Sequence, residues 1–303
     1  MILLQQMIIM FIYMVIGYGA RKKNLLGEDA GSTISWIVVN IANPAMIISS
    51  VINGESTITG QELIRTAILA CITFAVLMIL AEILPRLFRT TGKTQSAYKI
   101  MTVFNNIGFM GFPVIEAAYG EEALLYAAIF VLPYNILFYT YGIAVTQSGG
   151  ETKGLKVRQI LNIGSIASIL AVILYLTQIP VHGIIKSVTA SLSDLTAPLS
   201  MFVIGISLTK MQLRELFTDI KLLGYSAIKL LVIPIVGMMI AGNYIQNQML
   251  CEVFMIMLAT PAGAMTAMLA QEYDGDYSLA SRAVALTTLL SVITIPIVSA
   301  IVF

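Results

Sequence analysis

Apolar residues gather in ten runs, at about 2–20, 31–53, 61–85, 94–118, 122–146, 155–178, 187–208, 217–241, 249–271 and 277–301, with short polar stretches between them. A helix that crosses a bilayer takes roughly 20 apolar residues. The pattern therefore predicts an all-α membrane protein of about ten transmembrane helices, with no length left over for a soluble domain. Composition points the same way: 58% of the residues are hydrophobic and 11% charged, where a soluble domain has about a quarter charged. The first run is followed, not preceded, by Arg21, Lys22 and Lys23, so it reads as a retained helix and not as a secretory signal.

Charge orders these runs across the membrane. Basic residues collect in alternate connections: Arg21, Lys22 and Lys23; then Arg86, Arg89, Lys93 and Lys99; then Lys153, Lys156 and Arg158; then Lys210, Arg214 and Lys221. The positive-inside rule makes these connections cytoplasmic and places both termini outside. A net charge of +1 gives no reason to expect nucleic acid as a partner; the partner implied is the lipid bilayer. Cys71 and Cys251 lie in apolar runs and imply neither a disulfide nor a metal.

An internal repeat divides the chain at about residue 150. Pro44 and Pro198 are 154 residues apart, as are Tyr119 and Tyr273, and the same offset lays run 4 on run 9. Five runs per half is an odd number, so residues 1–150 and 151–303 should form a five-plus-five inverted repeat. Inverted repeats with discontinuous helices at matching places are typical of secondary transporters.

The discontinuities are visible as composition. Run 4 carries "NNIGFMGFP" at its centre and run 9 carries "ATPAGAMTA". Gly108, Gly111, Pro113, Pro261 and Gly263 all disfavour a continuous helix, and non-helical backbone survives at membrane depth only against protein or a wet cavity. Two broken helices of opposite polarity should cross at the midplane, each aiming a half-helix N-terminus at the crossing. That geometry favours an anion, and Asn105, Asn106 and Thr260 add groups that orient a carboxylate. Kinks that merely allow close packing are the alternative.

Buried ionisable residues sharpen the picture, because a charge at the bilayer centre costs at least about 3 kcal/mol. Lys229, central in run 8, either holds the anionic substrate or ties helices together. Asp194, near the middle of run 7, is the candidate ion-coupling or proton site, with Asn40 as its repeat mate; a buried structural carboxylate is the alternative. Asn43, Tyr134 and Asn135 either line a cavity or join helices, Glu82, Glu116 and Arg282 lie near span ends, and His182 falls in a loop.

With these motifs in place, the chain resembles the auxin efflux carrier family, whose bacterial members include malate and malonate permeases. The likeness rests on "NPAMIISS" in run 2, "NNIGFMGFP" in run 4, "TPAGAM" in run 9 and the five-plus-five arrangement. It implies a fold related to bile-acid symporters and sodium/proton antiporters. Spans 1, 2, 6 and 7 would form a scaffold, dimerised in many members, and spans 3–5 and 8–10 an elevator-like transport domain. The substrate, a small mono- or dicarboxylate, would contact the positions of Asn105, Asn106, Pro113, Thr260 and Pro261. The short connection between runs 5 and 6 fits a bacterial origin and hence the inner membrane. The plant carriers place an acidic residue in span 3, which is apolar through its middle here. No cofactor is expected, and coupling to H⁺, to Na⁺ or to neither is open. Two rivals differ in class: a ligand sensor on a transporter fold, and a membrane-embedded enzyme, for which a single histidine and few buried carboxylates make a poor catalytic set.

Overall fold

A computed structural model describes residues 2–54, 58–147, 162–209 and 216–303. The basic residues Lys153, Lys156, Arg158, Lys210 and Arg214 lie outside the described residues. In chain order the described helices are α1 (Ile2–Lys22), α2 (Ala30–Ile52), α3 (Gly60–Leu87), α4 (Gly92–Val103), α5 (Ile107–Tyr119), α6 (Glu121–Thr146), α7 (Ile163–Thr177), α8 (Gly183–Leu208), α9 (Ile220–Tyr244), α10 (Gln248–Ala259), α11 (Ala264–Glu272) and α12 (Tyr277–Val302). Among the described residues there is no strand. Seven of these helices, α1, α2, α3, α6, α8, α9 and α12, are long and apolar enough to cross a membrane.

Lipid-facing surface is easiest to see on α3. Ile64, Ile68, Ile72, Val76, Ile79 and Ile83 are exposed and recur every three or four residues, which lines them up along one face. An exposed apolar stripe of this length has no place in water and belongs against acyl chains. The helix starts where its sequence dictates: Thr59 accepts from the Glu62 amide at 3.3 Å while the Glu62 carboxylate accepts from the Thr59 amide at 2.8 Å, a reciprocal cap.

Two packing groups emerge. Helix α1 lies along α8, and α2 packs on α7 and on both parts of α8. Helix α3 packs on α4 and α6, and α12 on α9, α10 and α11. The α1–α8 contact depends on glycine. A Cβ at Gly205 would lie 2.0 Å from the Met14 carbonyl oxygen, and one at Gly17 would lie 2.7 Å from that of Phe202. Close backbone approach through small residues is how membrane helices gain packing energy that lipid cannot supply. Gly205→Ala is therefore expected to destabilise the protein by about 1–3 kcal/mol through overpacking. Gly19→Ala, where a Cβ meets nothing within 4 Å, should be neutral or slightly stabilising. Thermal unfolding of both variants in detergent checks this pair.

Four helices contain a five-residue π turn: Val38–Ala42 in α2, Ile107–Gly111 in α5, Phe138–Gly142 in α6 and Ile228–Val232 in α9. In three of them a proline follows two residues after the wide turn, namely Pro44, Pro113 and Pro234. A proline ring inside a helix clashes with the carbonyl four residues earlier, here within the π turn, and the extra residue makes room. Such turns collect at functional sites, and each of these holds or adjoins a residue discussed below.

Candidate functional site

Helices α4 and α5 are separated by Phe104–Asn106, and α10 and α11 by 260–263. These two extended pieces meet. Asn105 and Ala262 form an antiparallel bridge, with the Asn106 amide donating to the Pro261 carbonyl at 2.8 Å and the Gly263 amide to the Phe104 carbonyl at 2.9 Å. Backbone groups that lost helical partners in one segment thus recover them from the other, as the absence of water requires. Gly263 suits this place, since a Cβ would sit 3.1 Å from two carbonyl oxygens of the facing segment and would push that backbone back by a few tenths of an ångström. The Ala262 amide finds Thr287 Oγ1 of α12 at 3.2 Å.

The crossing is polarised. On one side end α4 and α10, with their unpaired carbonyls. Lys229, fully buried, donates to the Thr102 carbonyl at 2.9 Å and to Asn105 Oδ1. Asn105 Nδ2 in turn donates to the Met257 carbonyl at 2.5 Å. The Lys229 amine thus holds the C-terminal end of α4 directly and that of α10 through Asn105. On the other side begin α5 and α11, whose first amides lack intrahelical acceptors. Asn106 caps α5, its Oδ1 accepting from the Phe109 amide at 3.3 Å.

Between these N-termini and α2, α6 and α7 lies a cavity of about 150 Å³. Its polar lining is almost entirely amide: Asn40 and Asn43 from α2, Asn105 and Asn106 from the crossing, Asn135 from α6, and Asn162 at the start of α7. Tyr134 and Tyr139 join them, and Ile47, Ile107, Phe109, Val131, Ile163 and Met265 supply apolar wall. No charged side chain lines it among the described residues. Asn106 Nδ2 and Asn43 Oδ1 are buried without a hydrogen-bond partner, a donor and an acceptor held ready at a cost of about 1–3 kcal/mol each. Asn135 donates to Ser165 Oγ at 2.8 Å and Asn40 to the Trp36 carbonyl at 2.9 Å.

Of the residues singled out from sequence, Asn40, Asn43, Asn105, Asn106, Gly108, Tyr134, Asn135 and Gly263 line this cavity. Gly111, Pro113, Thr260 and Pro261 build the crossing without lining it; Thr260 Oγ1 turns back to the Met257 carbonyl at 3.1 Å. Lys229 stands behind Asn105, outside the cavity, so of its two readings the geometry bears on the tie between helices. Asp194 is exposed, at the turn between the two parts of α8, and does not line the cavity. Glu82 pairs with Lys99 at 2.6 Å, and Arg282 with Asp219 at 3.3 Å. His182 caps the start of α8, its Nδ1 accepting from the Ile184 amide at 3.3 Å. Tyr139 and Asn162 are not among the sequence candidates. Asn162 could have been found, because it interrupts the run 155–178 as a cap-forming residue and caps α7, accepting from the Ser165 amide at 3.0 Å; nothing local marks Tyr139.

Helices with apolar outer faces, gathered around a buried polar cavity where two interrupted segments meet, define a multi-pass membrane transport protein. Sequence comparison agrees and goes further. The family described as "Membrane transport protein" matches residues 2–156 and again 152–299; the chain belongs to it, the auxin efflux carrier family. An uncharacterised transporter of Methanothermobacter thermautotrophicus is 26% identical over 288 residues, covering 94% of each chain. Another, from Methanocaldococcus jannaschii, is 25% identical over 305 residues, covering 97% of each. Family and relatives are described as transporters.

Proposed function

We propose that the protein carries a small organic anion across the plasma membrane, and that its preferred substrate is a monocarboxylate with a compact apolar body. The observation that carries this is the cavity lining: two helix N-termini on the side of the crossing, uncharged amides from the crossing, α2, α6 and α7, apolar side chains between them, and no charged side chain among the described residues. Helix N-termini and Asn106 Nδ2 can bind one carboxylate. A second carboxylate would meet no cation among the described lining residues, and an unpaired buried charge is costly. Dicarboxylates are therefore disfavoured on this reading.

The transport reading groups α1, α2, α7 and α8 as a scaffold and α3–α6 with α9–α12 as a moving domain. Its support is that the cavity lies between α2 and α7 on one side and α5, α6 and α11 on the other. Displacement of the second group past the first, as in an elevator, would expose the cavity alternately. The ten runs in two inverted halves, with both termini outside, fit that scheme. Asp194, exposed and away from the cavity, is given no coupling role, and H⁺ or Na⁺ coupling awaits a flux measurement. A homodimer through the scaffold would cover exposed apolar residues such as Trp36 and Val188.

Ligand-induced thermal stabilisation in detergent tests the substrate class. A ligand at 100 times its Kd adds about 2.7 kcal/mol, a rise of several degrees. Short monocarboxylates should give it, and dicarboxylates of similar size should not. Stabilisation by dicarboxylates alone would overturn the monocarboxylate preference, and stabilisation by organic cations alone would overturn the anion.

A further inference from the structure

One contact between the two helix groups has a built-in alternative. Ser193, at the end of the first part of α8, donates from Oγ to Glu116 Oε1 of α5 at 2.9 Å. Thr196 and Ser200 follow three and seven residues later on α8. Thr196 and Ser200, four residues apart, share one face of the second part of α8, and the helical dihedrals of Asp194 and Leu195 carry that face back across the turn to within about 60° of Ser193. That face is turned away from Gly205 and Phe202, which lock α8 onto α1. Both side chains are fully buried, and both hydroxyls lack any hydrogen-bond partner.

Idle hydroxyls also occur at Ser281, Thr288 and Thr294 of α12; those of Thr196 and Ser200 are set apart by following the present partner of Glu116 along α8. Thr66, Thr73 and Thr287 each bond the carbonyl four residues earlier, and Ser207 of α8 itself does so with Val203. Thr196 and Ser200 take no such bond, although they sit where water cannot replace it. Glu116, for its part, has no ion pair among the described residues; the charged groups that act on it are the carboxylates Glu121 and Asp194. Among the described residues nothing cationic pins it in place, and the two carboxylates repel it at its present position.

We propose that Ser200 is the second docking position of the Glu116 carboxyl group, with Thr196 as the step between, reached when α5 slides along α8 toward the C-terminal end of α8. At ~1.5 Å rise per residue the steps from Ser193 are about 4.5 Å and about 10.5 Å. The face Ser193–Thr196–Ser200 is then a rail with three hydroxyl stops, and the structure has Glu116 at the first. The two unpartnered hydroxyls belong to a conformation other than this one. This inference rests on the moving-domain reading above and adds to it the direction, length and side-chain register of the movement.

Cysteine pairs test it, in a Cys71→Ser, Cys251→Ala background. A direct disulfide needs Cα atoms within about 7 Å, and a contact made through a full Glu side chain can span more, so a short bifunctional thiol reagent replaces oxidation. Glu116→Cys with Ser193→Cys should be bridged by it in the present conformation, and Glu116→Cys with Ser200→Cys only after the slide. Joined peptides are read by mass spectrometry after cross-linking in membranes. Both pairs are expected to cross-link. Linkage of 116 to 193 without any linkage of 116 to 200 would overturn the second stop. Should the protein linked at 116–193 still carry solute, the moving-domain reading itself fails, which is a separate result. Because the Cys variants alter Glu116, Ser200→Ala gives an independent readout. It removes a hydroxyl with no partner here, so the melting temperature should hold or rise while flux slows about 3–10-fold. Unchanged flux in Ser200→Ala would overturn the proposal.

Discussion

Asn106→Ala is expected to reduce solute flux about 30–150-fold while leaving the protein folded. The side chain has two ends with different duties. Its Oδ1 caps α5 through a long bond to the Phe109 amide at 3.3 Å, and losing such a cap costs about 1 kcal/mol. Its Nδ2 is buried, unpartnered and on the cavity wall. A carboxylate there turns an unsatisfied donor into a charge-assisted bond, worth about 2–3 kcal/mol, or roughly one and a half to two powers of ten at 1.4 kcal/mol each. Asn106→Asp separates the two ends: it keeps an acceptor for the cap and replaces the donor with a negative oxygen, so flux should vanish while stability is retained. Purified variants in proteoliposomes, with melting temperatures measured in parallel, check both. Wild-type flux in Asn106→Ala would remove Asn106 from the site.

Lys229→Met is expected to show the opposite profile, a large loss of stability with a modest effect on ligand affinity in whatever protein remains folded. Methionine fills similar volume but strands the Thr102 carbonyl and Asn105 Oδ1, both in a site with no exposure. Leaving two buried acceptors without a donor costs about 1–3 kcal/mol each, and here the crossing itself depends on them, since Asn105 also reaches Met257. Lys229→Arg should not rescue, because the larger, planar guanidinium has no room. Thermal unfolding combined with carboxylate binding separates the alternatives. Unchanged stability with abolished binding would make Lys229 a substrate ligand after all.

Much of this was legible in the sequence, for identifiable reasons. The helices follow the apolar runs to within a few residues where described, because a bilayer imposes length and composition together. The interruptions were visible because asparagine, glycine and proline have no cheap place in the middle of a membrane helix. What the string could not give was direction. Lys229 is equally deep whether it faces a substrate or a pair of helix C-termini, and only tertiary packing puts it behind Asn105. Asp194 reads as buried by its place in an apolar run, yet the turn beside it leaves the side chain exposed. The π turns were marked in retrospect, by prolines two residues beyond three of them. Tyr139 had no local signal, since cavity walls are assembled from residues far apart in the chain.

Solute counterflow in proteoliposomes is the most direct test, because it detects a carrier without a driving gradient and before any coupling ion is known. Labelled monocarboxylates, dicarboxylates, organic cations and neutral solutes would be compared, with the wild type beside Asn106→Ala. The account predicts counterflow of a monocarboxylate in the wild type and its loss in the variant. Counterflow confined to a cation or a neutral solute, or a carboxylate carried equally well by both proteins, would contradict it.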